Sequence, residues 1–283
     1  MVLALACVFM GTSSAIEWYN PANVAGQDTN WYNPLNWSTG VLPVAGEATA
    51  WRYASSGGAY RPIIISGGTA VSGTATCGIW YPGTASITVT NAATYSITGG
   101  LNLQINPAAA ANSPANIEFN VNGGSTFNVS GETQVGRKLT VGTGFGVCTI
   151  NVDGAGTVFN QGTYMWFGWG ADKTITSIMN VTNGAVVNFN TAGGLKFQPD
   201  TVNSIYPYVN IEGGFINIKG NRTSEVAGWI TNNYIRAYNG AGTIQYSYDA
   251  LSGYTNISSV PEPATICLLG LGVAGLIKRK KVK

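Results

Sequence analysis

Five segments of this chain repeat one another at a near-constant interval, and no other feature narrows the possible folds as far. They are TVTNAATYSIT from Thr88, FNVNGGSTFNVSG from Phe119, INVDGAGTVFNQG from Ile150, MNVTNGAVVNFN from Met179 and VNIEGGFINIKG from Val209. The equivalent residues Val89, Val121, Val152, Val181 and Ile211 follow at intervals of 32, 31, 29 and 30 positions. Such a period marks stacked supersecondary units, none of which can bury its apolar face alone. In the second unit Phe119, Val121, Phe127 and Val129 take alternate positions, with asparagines between them and Gly123-Gly124 at the bend. Period-two alternation belongs to strands with one buried and one wet face. A third short strand follows in successive units: LNLQ from Leu101, TQVG from Thr133, MWFG from Met165 and LKFQ from Leu195.

Three strands in each coil of about 30 residues describe an all-β, single-stranded parallel β-solenoid, right-handed like other crossover connections. Five or six coils at roughly 4.8 Å each give a stack about 25–30 Å long. A β-sandwich of hairpins shares the alternation but does not explain the constant period. Both ends of a solenoid expose strand edges that must be covered. Residues 16–60, with Trp18, Trp31, Trp37 and Trp51, are expected to form the first cap, 61–221 the solenoid, and 222–259 a second β-rich cap holding Trp229 and Tyr234. No stretch between the two ends of the chain carries a clear helical period.

Composition restricts the chemistry. The chain has no histidine, which removes the usual general base and the commonest transition-metal ligand. Residues 16–259 hold nine Lys/Arg against eleven Asp/Glu, a net charge of −2, and no basic stripe that would suit nucleic acid. Cys77 and Cys148 lie 71 residues apart and are available to form a disulfide in an oxidising compartment, although that spacing fixes no distance. No metal or cofactor is implied, since the cysteines are scattered and no loop has calcium-binding spacing. The acids are spread singly along the sequence. Asp153 and Glu212 occupy equivalent columns two coils apart, about 10 Å at that rise, a spacing wide for a carboxylate pair. A glycan-binding surface has one candidate. If Met165 and Phe167 point inward, then Trp166 points outward beside Tyr164, with Trp169 close by. Exposed aromatics of this kind stack on sugar rings.

The two ends of the chain carry address signals. MVLALACVFMGTSSA is an apolar run closing on small residues, with Ala15 at the expected signal-peptidase site. No Lys or Arg precedes Arg52, so either the true start lies upstream or the signal is weak. Cys7 is a poor lipoprotein site, with Ala4 where leucine is usual. At the other end, Pro261-Glu262-Pro263 precedes 14 uncharged residues, Ala264 to Ile277, and five of the last six residues are basic. As a helix that run spans roughly 21 Å, short for a bilayer core of about 30 Å, and its basic end should stay cytoplasmic.

The proline-glutamate-proline triplet, apolar helix and basic cluster together resemble a PEP-CTERM sorting signal. That resemblance implies an exported protein, held transiently in the inner membrane by residues 260–283 and processed by an exosortase-like membrane peptidase. It also implies bacteria that make exopolysaccharide, and hence a glycan of the envelope as partner. The repeat wording from Leu139, the opening NWYNPLNWSTGVLPVAGEATAW from Asn30 and the stretch from Tyr234 to Ser259 resemble solenoid segments of PEP-CTERM and autotransporter-associated proteins. What they imply is a non-catalytic surface or matrix protein; a polysaccharide lyase or glycoside hydrolase on the same scaffold is the alternative.

Overall fold

The structure is a computed structural model that describes residues 15–18, 28–53, 62–79, 83–105, 114–137, 145–169, 175–199 and 206–262. The signal segment 1–14, Pro263 and the apolar run 264–277 lie outside the described residues.

The alternating segments wind into a parallel β-solenoid of about six turns with three sheets. Sheet I stacks Ile63–Ser66, Gly83–Thr90, Ala115–Val121, Gly146–Asp153, Ile175–Thr182, Tyr208–Glu212 and Ile235–Ala237. Sheet II stacks Thr69–Ser72, Thr94–Ile97, Thr126–Val129, Val158–Gln161, Val186–Phe189 and Phe215–Lys219, and ends in the hairpin strands Tyr254–Pro261 and Gly242–Asp249. Sheet III stacks Ile16–Glu17, Thr49–Tyr53, Ala75–Ile79, Leu101–Ile105, Thr133–Arg137, Met165–Phe167 and Leu195–Phe197. The repeat register is the structural register: Val89, Val121, Val152, Val181 and Ile211 are successive Cα partners. Parallel pairing from coil to coil excludes the hairpin sandwich; among the described residues the antiparallel strand pairings are the two made by the closing hairpin, besides single bridges such as Trp18 with Trp37.

Period-two alternation turns each inward column into a core column. Tyr95, Phe127 and Phe159 are rung partners, with ring centroids 5.4 and 4.9 Å apart, close to the separation of neighbouring strands. Phe119 meets Phe127 from sheet I at 4.6 Å. The rung before Tyr95 is Ala70, small enough for Trp31 to sit on the Tyr95 ring at 5.0 Å. Outward columns are polar ladders. On sheet I, Asn180 donates to Asn151 and Asn151 to Asn120, both at 2.8 Å. On sheet II, Asn217, Asn188, Asn160 and Asn128 form a second ladder at 2.8–2.9 Å that ends on Ser96. Each rung uses one amide as both donor and acceptor, so the outer face carries its own axial hydrogen bonds, worth about 0.5–1.5 kcal/mol apiece.

Two glycines show why the bends need no side chain. Gly123 has φ +63°, and a Cβ there would reach 3.0 Å from the Asn91 nitrogen. Gly136, at φ +73°, forms the bulge that shifts register between Val135 and Arg137, and a Cβ would collide with the Ser177 hydroxyl. That hydroxyl is buried and donates to the Val135 carbonyl at 2.9 Å.

The N-terminal end is closed by indoles. Trp18, Trp31, Trp37 and Trp51 are buried and meet edge to face at 4.5–6.1 Å. The other end carries the strands Ile235–Ala237, Gly242–Asp249 and Tyr254–Pro261 and, beyond what the sequence led us to expect, one helix. Thr223–Thr231 is an α-helix, and it packs where sheet III has no strand after Leu195–Phe197. Its inward residues are Val226, Trp229 and Ile230, with Trp229 edge-on to Phe197 at 5.8 Å. Three apolar positions in one turn are too few to show a period. The hairpin Gly242–Asp249/Tyr254–Pro261 then completes the end of sheet II.

Candidate functional site

Sheet III brings the three aromatic candidates together. Met165 and Phe167 are fully buried, so Trp166 between them faces out. Its rung neighbours are Gln134 before it and Lys196 after it, in a column that begins at Glu17 and Ala50 and runs through Thr76 and Asn102. Trp166 meets Trp169 edge to face at 4.7 Å, and both are half-buried. Tyr164 is 45% exposed. The Lys196 ammonium lies 5.3 Å from the centre of the Tyr164 ring and 5.6 Å from that of Trp166, a cation–π arrangement that holds both rings. The result is an aromatic patch with one positive charge, following the polar rungs Thr76, Asn102 and Gln134.

Sequence reasoning missed the cations and the groove next to the patch. Lys196 could have been found, because LKFQ aligns with MWFG and puts it one rung from Trp166. Arg222, Glu225 and Trp229 could not, since they arrive on a helix the repeat does not announce. The Arg222 guanidinium donates to Glu225 at 2.6 Å and holds that carboxyl below its usual range.

The other sequence candidates have structural work. Asp153 accepts from Thr182 at 2.5 Å and from Asn183 at 2.7 Å, tying the bend of one coil to the next. Glu212 sits at the end of its sheet I strand, where its carbonyl accepts from the Asn183 amide at 3.1 Å. Among the described residues no cluster of three or more metal-ligating side chains occurs. Cys77 and Cys148 are free, buried thiols on sheets III and I; the Cys148 thiol faces the Leu103 carbonyl at 3.9 Å.

Burial raises the pKa of Cys148 to about 12, and raises those of Cys77 and Tyr95 further, the latter despite its 2.9 Å hydrogen bond with Ser72. In the unfolded chain these groups ionise near their ordinary values of 9.0 and 10.0. The unfolded state therefore sheds protons first, and stability is lost as pH rises past those values. With no histidine to titrate, the urea midpoint should be level from about pH 5 to about pH 8 and fall above about pH 9. Cys148→Ala should shallow the alkaline fall. A midpoint that stays level through the phenol range would show that these groups are not held neutral.

The C-terminal strand leads directly into the tail. Val260 and Pro261 pair with Thr243 and Gly242, and the Glu262 amide donates to the Ala241 carbonyl at 3.3 Å. Residues 259–281 match the family model of the PEP-CTERM protein-sorting motif. No curated protein and no solved structure matches the chain. The PEP-CTERM motif marks an exported protein, sorted to the cell surface and processed by an exosortase-type membrane enzyme. Its first residues, Ser259 to Glu262, belong to the folded end of the solenoid, so the address begins within the last strand. Among the described residues no helix is long and apolar enough to cross a membrane. At the other end Ala15 immediately precedes the first strand, where the Ile16 amide donates to the Ala48 carbonyl at 2.8 Å.

Proposed function

We propose that the exported solenoid is a non-catalytic structural component of the cell surface or matrix, associated with exopolysaccharide through the patch of Tyr164, Trp166 and Trp169. Before processing, residues 264–277 hold it in the inner membrane with the basic end in the cytoplasm. The observation that carries the reading is the grouping of three partly exposed aromatic rings on the outer face of one sheet. Such rings bury the apolar faces of sugars, and a stack of flat rungs offers a long polymer a continuous surface. The absence of histidine supports the non-catalytic reading, as does the commitment of Asp153 to its neighbouring coil.

The test is co-sedimentation of the protein with the extracellular polysaccharide of its source, with polymer length followed in parallel. Retention without shortening is expected. Trp166→Ala should weaken retention about tenfold, the loss of roughly 1.4 kcal/mol of stacking. Shortening of the polymer would overturn the reading in favour of a lyase or hydrolase.

A further inference from the structure

Sheet III ends at Leu195–Phe197 while its two neighbours continue. After Leu195–Phe197 the chain passes through the next strands of sheets I and II and then enters the helix Thr223–Thr231 instead of an eighth sheet III strand. Between the last strand and the helix lies a groove of about 280 Å³, lined by Gly193, Gly194, Lys196, Arg222, Glu225 and Trp229 among others. Gly193 and Gly194 form part of one wall. A Cβ on Gly193 would lie 3.2 Å from the Tyr164 ring, so the groove opens directly beside the aromatic patch.

The charges in this place are unevenly satisfied. Arg222 gives one terminal nitrogen to Glu225, yet its Nε is out of solvent with no hydrogen-bond partner. Beyond its bond to Glu225 the guanidinium keeps further N–H donors for an incoming oxygen. Among the described residues Lys196 has no carboxylate within ion-pairing distance; its ammonium rests over the two rings at the boundary between patch and groove. With Glu225 offset by Arg222, the groove carries an excess of one positive charge, on a protein whose residues 16–259 have a net charge of −2. Local charge opposite in sign to the whole selects an anion at that place rather than a generally acidic partner.

We infer that the groove and patch form one site for an acidic polysaccharide: a sugar ring stacks on Trp166 and Tyr164 while its carboxylate meets Lys196 and the Arg222 guanidinium. This rests on the glycan reading above and names the class of glycan. Arginine suits the role because its planar fork presents directed N–H groups to a carboxylate, and the lysine supplies a point charge at the rim.

The experiment uses the full chain in detergent with two polymers of one backbone, polygalacturonate and its methyl ester, and reads affinity from tryptophan fluorescence. The acid form should bind about tenfold more tightly than the ester, a charge-assisted contact being worth that much, and the difference should vanish at high salt. Lys196→Met and Arg222→Gln should each abolish the difference, so that the acid form binds no more tightly than the ester binds the same variant. Lys196→Arg should restore the difference, and Lys219→Met, an exposed lysine outside the groove, should change nothing. Thermal melts check that each variant is folded. Equal affinity for acid and ester, with both weakened by Trp166→Ala, overturns the acidic-sugar inference and leaves the glycan reading standing. Binding of neither polymer, nor of the polysaccharide of the source, overturns both.

Discussion

Replacing Phe127 with alanine is expected to lower the free energy of unfolding by about 3–5 kcal/mol, the range for a fully buried phenylalanine. The site should lie at the upper end because it cannot collapse. Phe127 is gripped by Tyr95 on one rung, Phe159 on the next and Phe119 across the core, at 5.4, 4.9 and 4.6 Å. The backbones on either side are pinned by parallel ladders, so neighbouring coils cannot slide inward to fill the void. In a stack where each coil contacts mainly its neighbours, a weakened middle rung also weakens the coupling between the two halves. Urea unfolding should therefore move to lower midpoint, and amide protection should fall in both Thr94–Ile97 and Val158–Gln161. Phe127→Leu, which keeps most of the volume, should cost less than about 1.5 kcal/mol. A small loss for the alanine variant would mean that the aromatic column is not what joins the coils.

Much of this architecture is legible in the sequence because a solenoid repeats one local rule. Inward residues alternate, so Val121 and Phe127 declare themselves core without any knowledge of partners, and the repeat interval then supplies the register. The same rule places Trp166 outside once Met165 and Phe167 are inside. What breaks the repeat is not legible. The helix at Thr223 has a single buried turn, and its N-terminal neighbour Arg222 matters only because the fold puts it across from Lys196. The cation–π contacts of Lys196 are visible in outline, since it aligns one rung beyond Trp166, but the groove depends on a strand that sheet III lacks. The tail is the opposite case. Its signal is linear chemistry, two prolines, an apolar run and a basic end, and needs no fold to be read.

Trp31→Ala is expected to cost a similar 3–5 kcal/mol, but in a different place. Trp31 is almost fully buried and touches Trp37, Trp51 and Tyr95, which makes it the keystone between cap and first complete coil. Its backbone is engaged as well: the amide donates to Ile64 at 2.9 Å, and the carbonyl accepts from the Trp37 indole at 3.0 Å. Those bonds survive the substitution only if the cap stays docked, and the cavity left by an indole at the end of the stack is open to water. The cap should then detach from a solenoid that otherwise persists. Amides of Thr49–Tyr53 and Ile63–Ser66 should lose protection while those of Val158–Gln161 keep it, in contrast to the loss on both sides of the altered rung expected for Phe127→Ala. Detachment also bares the edge of Ile63–Ser66, whose outer groups now bond to Thr29 and Trp31. An uncovered edge of that kind pairs with another chain, so light scattering should show concentration-dependent association of the variant but not of the parent. Uniform loss of protection without association would instead make the cap and coils one cooperative unit, with the indole cluster acting as core rather than cover.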